Sequence, residues 1–107
     1  MTFDDYQKKA LTTALPSAQN LPYVALGLSS EAGELAGKIK KWIRDNNSDP
    51  AKLDKAGIMH ELGDVLWYVA ITAELLGISF DEVARQNAEK LASRKERSVI
   101  TGSGDNR

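Results

Sequence analysis

Two long stretches of the chain carry apolar residues at the spacing of an α-helix, with a polar segment between them. One covers about residues 22–44 and the other about residues 50–77, with Asp49 as the predicted cap of the second stretch. The Asn-, Asp- and Pro-rich residues 45–50 between them are typical of a break. No segment alternates apolar and polar residues for long enough to predict a β-strand. The sequence therefore predicts an all-α chain whose two long helices are antiparallel neighbours.

Two shorter helices complete the predicted fold. Thr2 is the expected N-cap of a first helix over about residues 3–14. Ser79, followed by Glu82 three residues later, has the pattern of a capping box and predicts a fourth helix that ends near Arg97. Four helices with apolar stripes favour a helical bundle.

The composition limits the chemistry available. The 107 residues include no cysteine and one histidine, which excludes disulfides, thiolate metal sites and a cysteine nucleophile. Fourteen basic and fifteen acidic residues nearly cancel, so nothing supports a dedicated nucleic-acid partner. No apolar run approaches the roughly 20 residues that span a bilayer, and the acidic N-terminus is unlike a signal peptide. We therefore expect a cytoplasmic protein without a membrane partner.

The length allows one domain, predicted over residues 1–97, followed by an irregular tail over residues 98–107. A chain of this size buries only about 60–65% of the surface that it exposes when unfolded. Oligomerisation would complete such a small core, so we expect a homo-oligomer.

One motif, Glu-x-Gly-acid-apolar, occurs on both long helices. It pairs Glu31 with Glu34 on the first and Glu61 with Asp64 on the second. Residues three apart lie on neighbouring positions of a helix surface, so each pair directs two carboxylates the same way. Four carboxylates brought together need a counter-ion, and oxygen-only ligands suit Mg²⁺, with Mn²⁺ as a possible substitute.

The acidic motif can also occur without a metal. A single Glu-x-x-Glu is usually a solvated helix face, whereas two copies on consecutive helices favour a metal site. Gly33 and Gly63 separate the acids, and their cost of about 1 kcal/mol in a helix suggests close approach of another helix or a ligand. A di-iron bundle would need Glu-x-x-His, but His60 follows Gly57 at that spacing.

Polar residues form a stripe on the fourth helix. Asn87, Lys90 and Arg94 fall at i, i+3 and i+7, either as a solvated face or, beside a metal site, as a polyphosphate-binding set. On the second helix, Lys38 is placed to neutralise Glu34 at i+4.

The aromatic residues of the two long helices allow two interpretations. Trp42, Trp67 and Tyr68 either stack on a base or, more commonly for such residues, belong to the core or a subunit interface.

The succession Glu-x-x-Glu, Glu-x-x-Asp and Asn-x-x-Lys-x-x-x-Arg on three helices resembles the MazG-like nucleotide pyrophosphohydrolases, over roughly residues 28–97. The resemblance implies Mg²⁺-dependent hydrolysis of nucleoside triphosphates, often deoxy forms, to the monophosphate and pyrophosphate, in house-cleaning or nucleotide-pool control. It also implies a homodimer or homotetramer. By match, the metal ligands would be Glu31, Glu34, Glu61 and Asp64, and the phosphate contacts Lys90 and Arg94, with Asn87 close by.

Within this scheme, Glu34 or Glu61 is the expected catalytic residue that orients the attacking water. The tail resembles the ending of some short members of the family. Its residues Asp105, Asn106 and Arg107 either reach the nucleotide or form a frayed terminus.

Two other functions stay open. A non-enzymatic helical module, used for metal-stabilised oligomerisation or regulation, would keep the acidic pairs for structure alone. A phosphohydrolase acting on another polyphosphate or a nucleotide sugar would release different products.

Overall fold

The computed structural model describes all 107 residues and consists of four α-helices without a β-strand, which confirms the all-α prediction. Short 3-10 turns lie before the second and third helices, at Pro16–Ala18 and Pro50–Lys52. The helices are α1 (Phe3–Leu11), α2 (Leu21–Asn46), α3 (Lys55–Leu75) and α4 (Phe80–Glu96). The long α2 and α3 pack against each other, and α1 lies against α3 and α4.

The predicted N-caps of the first and fourth helices are confirmed. The Thr2 side chain accepts a hydrogen bond from the Asp5 backbone, and the Asp5 carboxylate accepts one from the Thr2 backbone, so α1 begins with a complete capping box. Ser79 accepts from the Glu82 backbone at 3.2 Å. The Glu82 carboxylate does not reciprocate, because it binds Arg85 instead.

The third helix begins later than predicted. Asp49 caps the 3-10 turn, where its carboxylate accepts from the Ala51 backbone at 3.0 Å. The N-cap of α3 is Asp54, which accepts from Gly57 at 2.9 Å. The connection contains two successive Asp caps, and Leu53 between them has an extended backbone that ends the first turn.

The core is small and lies where the four helices meet. It consists of Ala10, Val24, Ala70, Ile71 and Phe80. Only nine of the 107 residues are buried, so most apolar side chains keep exposed surface.

Buried Gln7 joins α1 to the link between α3 and α4. Its side-chain amide donates to Ile78 O at 2.9 Å and to Ala70 O at 3.4 Å, and its carbonyl accepts from Phe80 N at 3.0 Å. Asp4 accepts from the Ser79 hydroxyl at 2.7 Å, so α1 also fixes the start of α4. Backbone and hydroxyl donors at the start of α4 hold the pKa of Asp4 below its ordinary value.

The direction of α4 gives the chain an open shape. Gly77, with φ of 68°, ends α3, and α4 leaves at 104° to it. Residues 85–93 of α4 are all exposed. The radius of gyration is 16.7 Å, whereas a compact domain of about 100 residues has about 13 Å. No single helix is both long and apolar enough to cross a membrane.

Candidate metal and nucleotide site

Three of the four predicted carboxylates converge between α2 and α3. Glu31 from α2 and Glu61 and Asp64 from α3 each bring an oxygen within 4.8 Å of the others. The helices run antiparallel, so the acidic turn of α2 faces that of α3. We call these three residues the carboxylate cluster.

The neighbouring carboxylates repel the charge of Glu31 in the cluster. Partial burial, and then the negative charges of Asp64, Glu61 and Glu34 in that order, raise the pKa of Glu31 above its ordinary value. Asp64 also contributes, after burial, to the raised pKa of Tyr6. Convergent oxygen donors with unbalanced negative charge fit a hard divalent cation.

Lys38 lies at one end of the cluster, but not where the sequence predicted. Its ammonium is 3.6 Å from the carboxylate of Glu61 on α3, rather than paired with Glu34 on its own helix. The cross-helix pair is favoured because the Glu61 side chain is only 15% exposed, whereas Glu34 is on the surface. Lys38 therefore neutralises part of the cluster and ties α2 to α3.

Glu34 lies outside the cluster. One turn beyond Glu31, it is exposed, while Leu35 takes the half-buried position that continues toward α3. Its charge still reaches Glu31, as the weakest of the three that raise the pKa of Glu31.

The expectation that Gly33 and Gly63 allow close helix approach is not met within the chain. A side chain at either position would meet nothing within 4 Å. The glycine of α2 that has a packing role is Gly27, where an added Cβ would overlap the ring of Tyr68.

An open cleft of about 350 Å³ adjoins the cluster. It is lined by Thr13, Glu31, Asp64, Trp67 and Tyr68. The Trp67 indole N–H donates to the Thr13 hydroxyl at 2.8 Å, and the Trp67 and Tyr68 rings meet edge to face at 5.0 Å. The third aromatic residue, Trp42, is away from this cleft and donates to Asp49 O at 2.7 Å, where it closes the end of α2.

The basic residues of α4 bind the tail of the chain. Lys90 donates to the Asp105 carboxylate at 3.4 Å. Arg94 is only 5% exposed and donates to the backbone carbonyls of Asp105 at 2.8 Å and Gly104 at 3.4 Å, while its buried Nε has no partner. The side chains of Lys90 and then Arg94 lower the pKa of Asp105. Residues 98–107 thus form a folded loop, which we call the C-terminal loop.

Arg107 closes this loop from the other side. Its guanidinium donates to Val99 O, Ile100 O and Gly104 O at 3.1, 2.9 and 2.6 Å, while Arg97 donates to the Arg107 carbonyl at 2.8 Å.

The other predicted site residues of this region lie on the surface. Asn87 on α4 and Asn106 in the C-terminal loop are both exposed. His60, whose spacing excluded a di-iron site, is also exposed on α3.

The fold and the cluster define an all-α protein with an acidic site between two antiparallel helices. Residues 19–99 match the family model described as the MazG nucleotide pyrophosphohydrolase domain, and the chain belongs to this family. The matched segment contains α2, α3 and α4 with every acid of the two motifs. The resemblance drawn from the motifs is confirmed.

Two relatives extend the comparison. The chain is 44% identical over 114 residues to "Gene 37 protein" of Mycobacterium phage L5, with both chains covered completely. It is 32% identical over 81 residues to the "Uncharacterized protein YvdC" of Bacillus subtilis (strain 168), covering 70% of this chain and 76% of the relative. No solved structure gives a significant match.

Three features of the site were not anticipated from the sequence: the Lys38–Glu61 pair, the packing of the Tyr68 ring against Gly27, and the hydrogen bond from Trp67 to Thr13. The helical register contained a signal for the contact of Tyr68 with α2. Tyr68 follows Glu61 by seven residues and therefore shares its face of α3.

Proposed function

We propose that the protein hydrolyses nucleoside triphosphates, including deoxy forms, to the monophosphate and pyrophosphate with Mg²⁺ as cofactor. The observation that carries this proposal is the convergence of Glu31, Glu61 and Asp64 in a chain of the MazG family. The corresponding role is house-cleaning or control of nucleotide pools, in the cytoplasm, where these substrates are found.

The carboxylate cluster, together with Glu34, would hold the cation. Mn²⁺ is the expected substitute, since it accepts the same oxygen donors. When bound, the cation neutralises phosphate oxygens and makes a nearby water more acidic.

Glu34 and Glu61 are the proposed catalytic residues. A carboxylate that accepts a proton from a water molecule helps the water oxygen to attack phosphorus. The bond that joins the monophosphate to the pyrophosphate then breaks, and pyrophosphate leaves. Glu34 is exposed beside the cluster, whereas Glu61 is held by Lys38 at 3.6 Å.

The basic stripe of α4 is proposed to contact the substrate phosphates through the exposed Lys90 and Asn87. Arg94 is proposed to join them when the C-terminal loop that covers it moves aside. Because α4 turns away at 104°, we propose that subunits of a homodimer or homotetramer combine this stripe with the acids. The open shape and the exposure of Leu26 at 73%, Met59 at 62% and Leu62 at 53% support assembly with further copies.

The C-terminal loop is proposed to cover the bound nucleotide through Asp105, Asn106 and Arg107. Its anchorage on Lys90 and Arg94 supports this role, since the loop already touches the proposed phosphate contacts. A chain ending at Ile100 should hydrolyse nucleotides with a raised KM, and an unchanged KM would exclude the loop from the site.

The deciding experiment incubates the protein with the eight common nucleoside and deoxynucleoside triphosphates and Mg²⁺, and measures pyrophosphate and monophosphate. We expect release of both, abolished by EDTA, by Glu34→Gln and by Glu61→Gln. Glu74→Gln, an exposed acid of α3 away from the motifs, is the matched control. Stabilisation by Mg²⁺ without turnover would support a non-enzymatic module, and other products would indicate a different polyphosphate substrate. Wild-type activity in either catalytic variant would remove that residue from the mechanism.

A further inference from the structure

A second pocket lies between the end of α2 and the start of α3. It has a volume of about 180 Å³ and begins at Lys38, whereas the carboxylate cluster lies mainly on the other side of this residue along α2. Its lining combines charged with apolar side chains, chiefly Lys38, Lys41, Trp42, Asp45, Lys52 and Asp54. We call this cavity the lysine pocket.

The two acids of the lysine pocket have partners of their own. Asp45 accepts two hydrogen bonds from the Arg44 guanidinium, at 2.8 and 3.0 Å, and this contact is the main cause of its lowered pKa. Asp54 accepts from Gly57 N at 2.9 Å, and a Cβ added to Gly57 would overlap this carboxylate. Neither acid forms an ion pair with a lysine of the pocket.

The lysines therefore leave positive charge unbalanced in the pocket. Lys41 and Lys52 form no ion pair, and Lys38 shares its charge with Glu61 at 3.6 Å. The apolar surface of Trp42 lies beside these ammonium groups. A concave surface with charges of one sign and low-dielectric walls concentrates ions of the opposite sign.

The backbone that carries the lysines is fixed. The Trp42 indole N–H donates to Asp49 O at 2.7 Å, and the Asp49 carboxylate accepts from Ala51 N at 3.0 Å. These bonds hold the turn that contains Lys52 against the end of α2, which contains Lys41. A ligand thus has to order only the lysine side chains, which lowers the cost of binding.

We propose that the lysine pocket binds a small phosphate-type anion, inorganic phosphate or pyrophosphate, between the ammonium groups of Lys41 and Lys52. Ammonium groups donate strong, charge-assisted hydrogen bonds to phosphate oxygens. The volume corresponds to about six water molecules, which accommodates such an anion but not an attached nucleoside. This site goes beyond the proposed function, because it requires no metal and no turnover.

The first test is a titration followed by ¹H–¹⁵N NMR in EDTA, which removes any divalent cation from the carboxylate cluster. The two tryptophans give two indole N–H signals. Sodium phosphate or pyrophosphate, added at constant ionic strength, should shift the Trp42 signal in a saturable way and leave that of Trp67 in place. An equal shift with sodium chloride, or a shift that does not saturate, would overturn the proposal.

The second test identifies the lysines that bind the anion. Lys41→Gln and Lys52→Gln should each raise the Kd for pyrophosphate about fivefold. Lys40→Gln is the matched control, since Lys40 is exposed on the same helix but does not line the pocket. Lys41 and Lys52 are exposed as well, so these variants should keep the wild-type fold. Loss of binding in Lys90→Gln, with normal binding in Lys41→Gln, would place the anion on α4 and contradict the proposal.

The third test separates a free anion from the phosphate end of a larger ligand. Adenosine monophosphate, titrated in EDTA under the same conditions, should shift the Trp42 signal with a higher Kd than inorganic phosphate does. A Kd equal to that of phosphate, or lower, would show that the pocket receives a nucleotide and would overturn the assignment to a free anion.

Discussion

The ring of Tyr68 on α3 occupies the space where any residue larger than glycine at position 27 would place its Cβ. This contact lies one turn from Glu31 on α2 and one turn from Asp64 on α3. Burial is the main cause of the raised pKa of Tyr68, with smaller effects from Tyr23, Glu31 and Asp64. The close approach of α2 and α3 at this point therefore bears on the geometry of the carboxylate cluster.

Gly27→Ala should destabilise the protein, because the new methyl group forces the Tyr68 ring to move. We expect a loss of about 1–3 kcal/mol in the free energy of unfolding, measured by urea denaturation. Gly37→Ala is the matched control on the same helix, since a side chain there meets nothing within 4 Å. Removal of a helical glycine should make that variant up to about 1 kcal/mol more stable. Equal stability of the two variants would contradict the packing described for Tyr68.

The helical pattern predicted much of this arrangement, and its failures have physical causes. Apolar spacing identified the two long helices, and cap signals identified the two short ones. The caps Thr2 and Ser79 were correct, since capping depends on side chains close in sequence. The start of α3 was misplaced because Asp49 and Asp54 are both competent caps, and local sequence does not decide between them.

At the site, the i, i+3 rule predicted the acids but not their partners. It grouped Glu34 with Glu31, but in the folded chain Glu34 is exposed and Leu35 takes the half-buried position of that turn of α2. Lys38 was assigned to its own helix because cross-helix contacts depend on how two helices are rotated against each other, which one sequence does not specify.

The carboxylate cluster should make the metal-free protein less stable than its uncharged variants. Glu31→Gln should raise the Tm in EDTA, since it removes repulsion with Asp64 and Glu61, and should weaken the further rise that Mg²⁺ gives to wild type. Differential scanning calorimetry with and without Mg²⁺ measures both effects. Glu74→Gln should behave like wild type, and a full Mg²⁺ response in Glu31→Gln would separate the cluster from metal binding.

The pH dependence should have opposite signs with and without metal. The raised pKa of Glu31 means that the folded chain binds this proton more readily than the unfolded chain. This contribution therefore increases the stability of the metal-free protein as pH falls through the raised pKa to the ordinary value of 4.5, below which it stays constant. With Mg²⁺ present, protons compete with the cation for the same oxygens, so the Mg²⁺-induced rise in Tm should shrink over the same range. A rise in Tm that is independent of pH would contradict the assignment of Glu31 as a ligand.

Gln7 should contribute strongly to stability, because Gln7→Leu leaves Phe80 N and Ile78 O without their partner in a buried region. We expect a loss of about 3 kcal/mol in the free energy of unfolding. Gln19→Leu is the control, since the Gln19 hydrogen bond to Ala14 O is exposed, and should change stability by about 0.5 kcal/mol or less. If Gln7→Leu also lowers the free energy of unfolding by only about 0.5 kcal/mol, water replaces the hydrogen bonds that Gln7 makes in the folded chain.

The order of the C-terminal loop should depend on Arg94 far more than on Asp105. Arg94 is buried and binds two backbone carbonyls, whereas the Asp105 side chain is 86% exposed and its ion pairs are screened by water. Arg94→Lys should therefore lower the heteronuclear NOE of residues 102–107, while Asp105→Asn should change it little at pH 7.

The lowered pKa of Asp105 means that its pairing with Lys90 is complete at neutral pH and is lost as the pH falls through a value below 3.8. Acidification of the wild type into that range should lower the heteronuclear NOE of the loop no more than Asp105→Asn does. A loop that becomes mobile in Asp105→Asn, but stays ordered in Arg94→Lys, would reverse the roles assigned to the two residues.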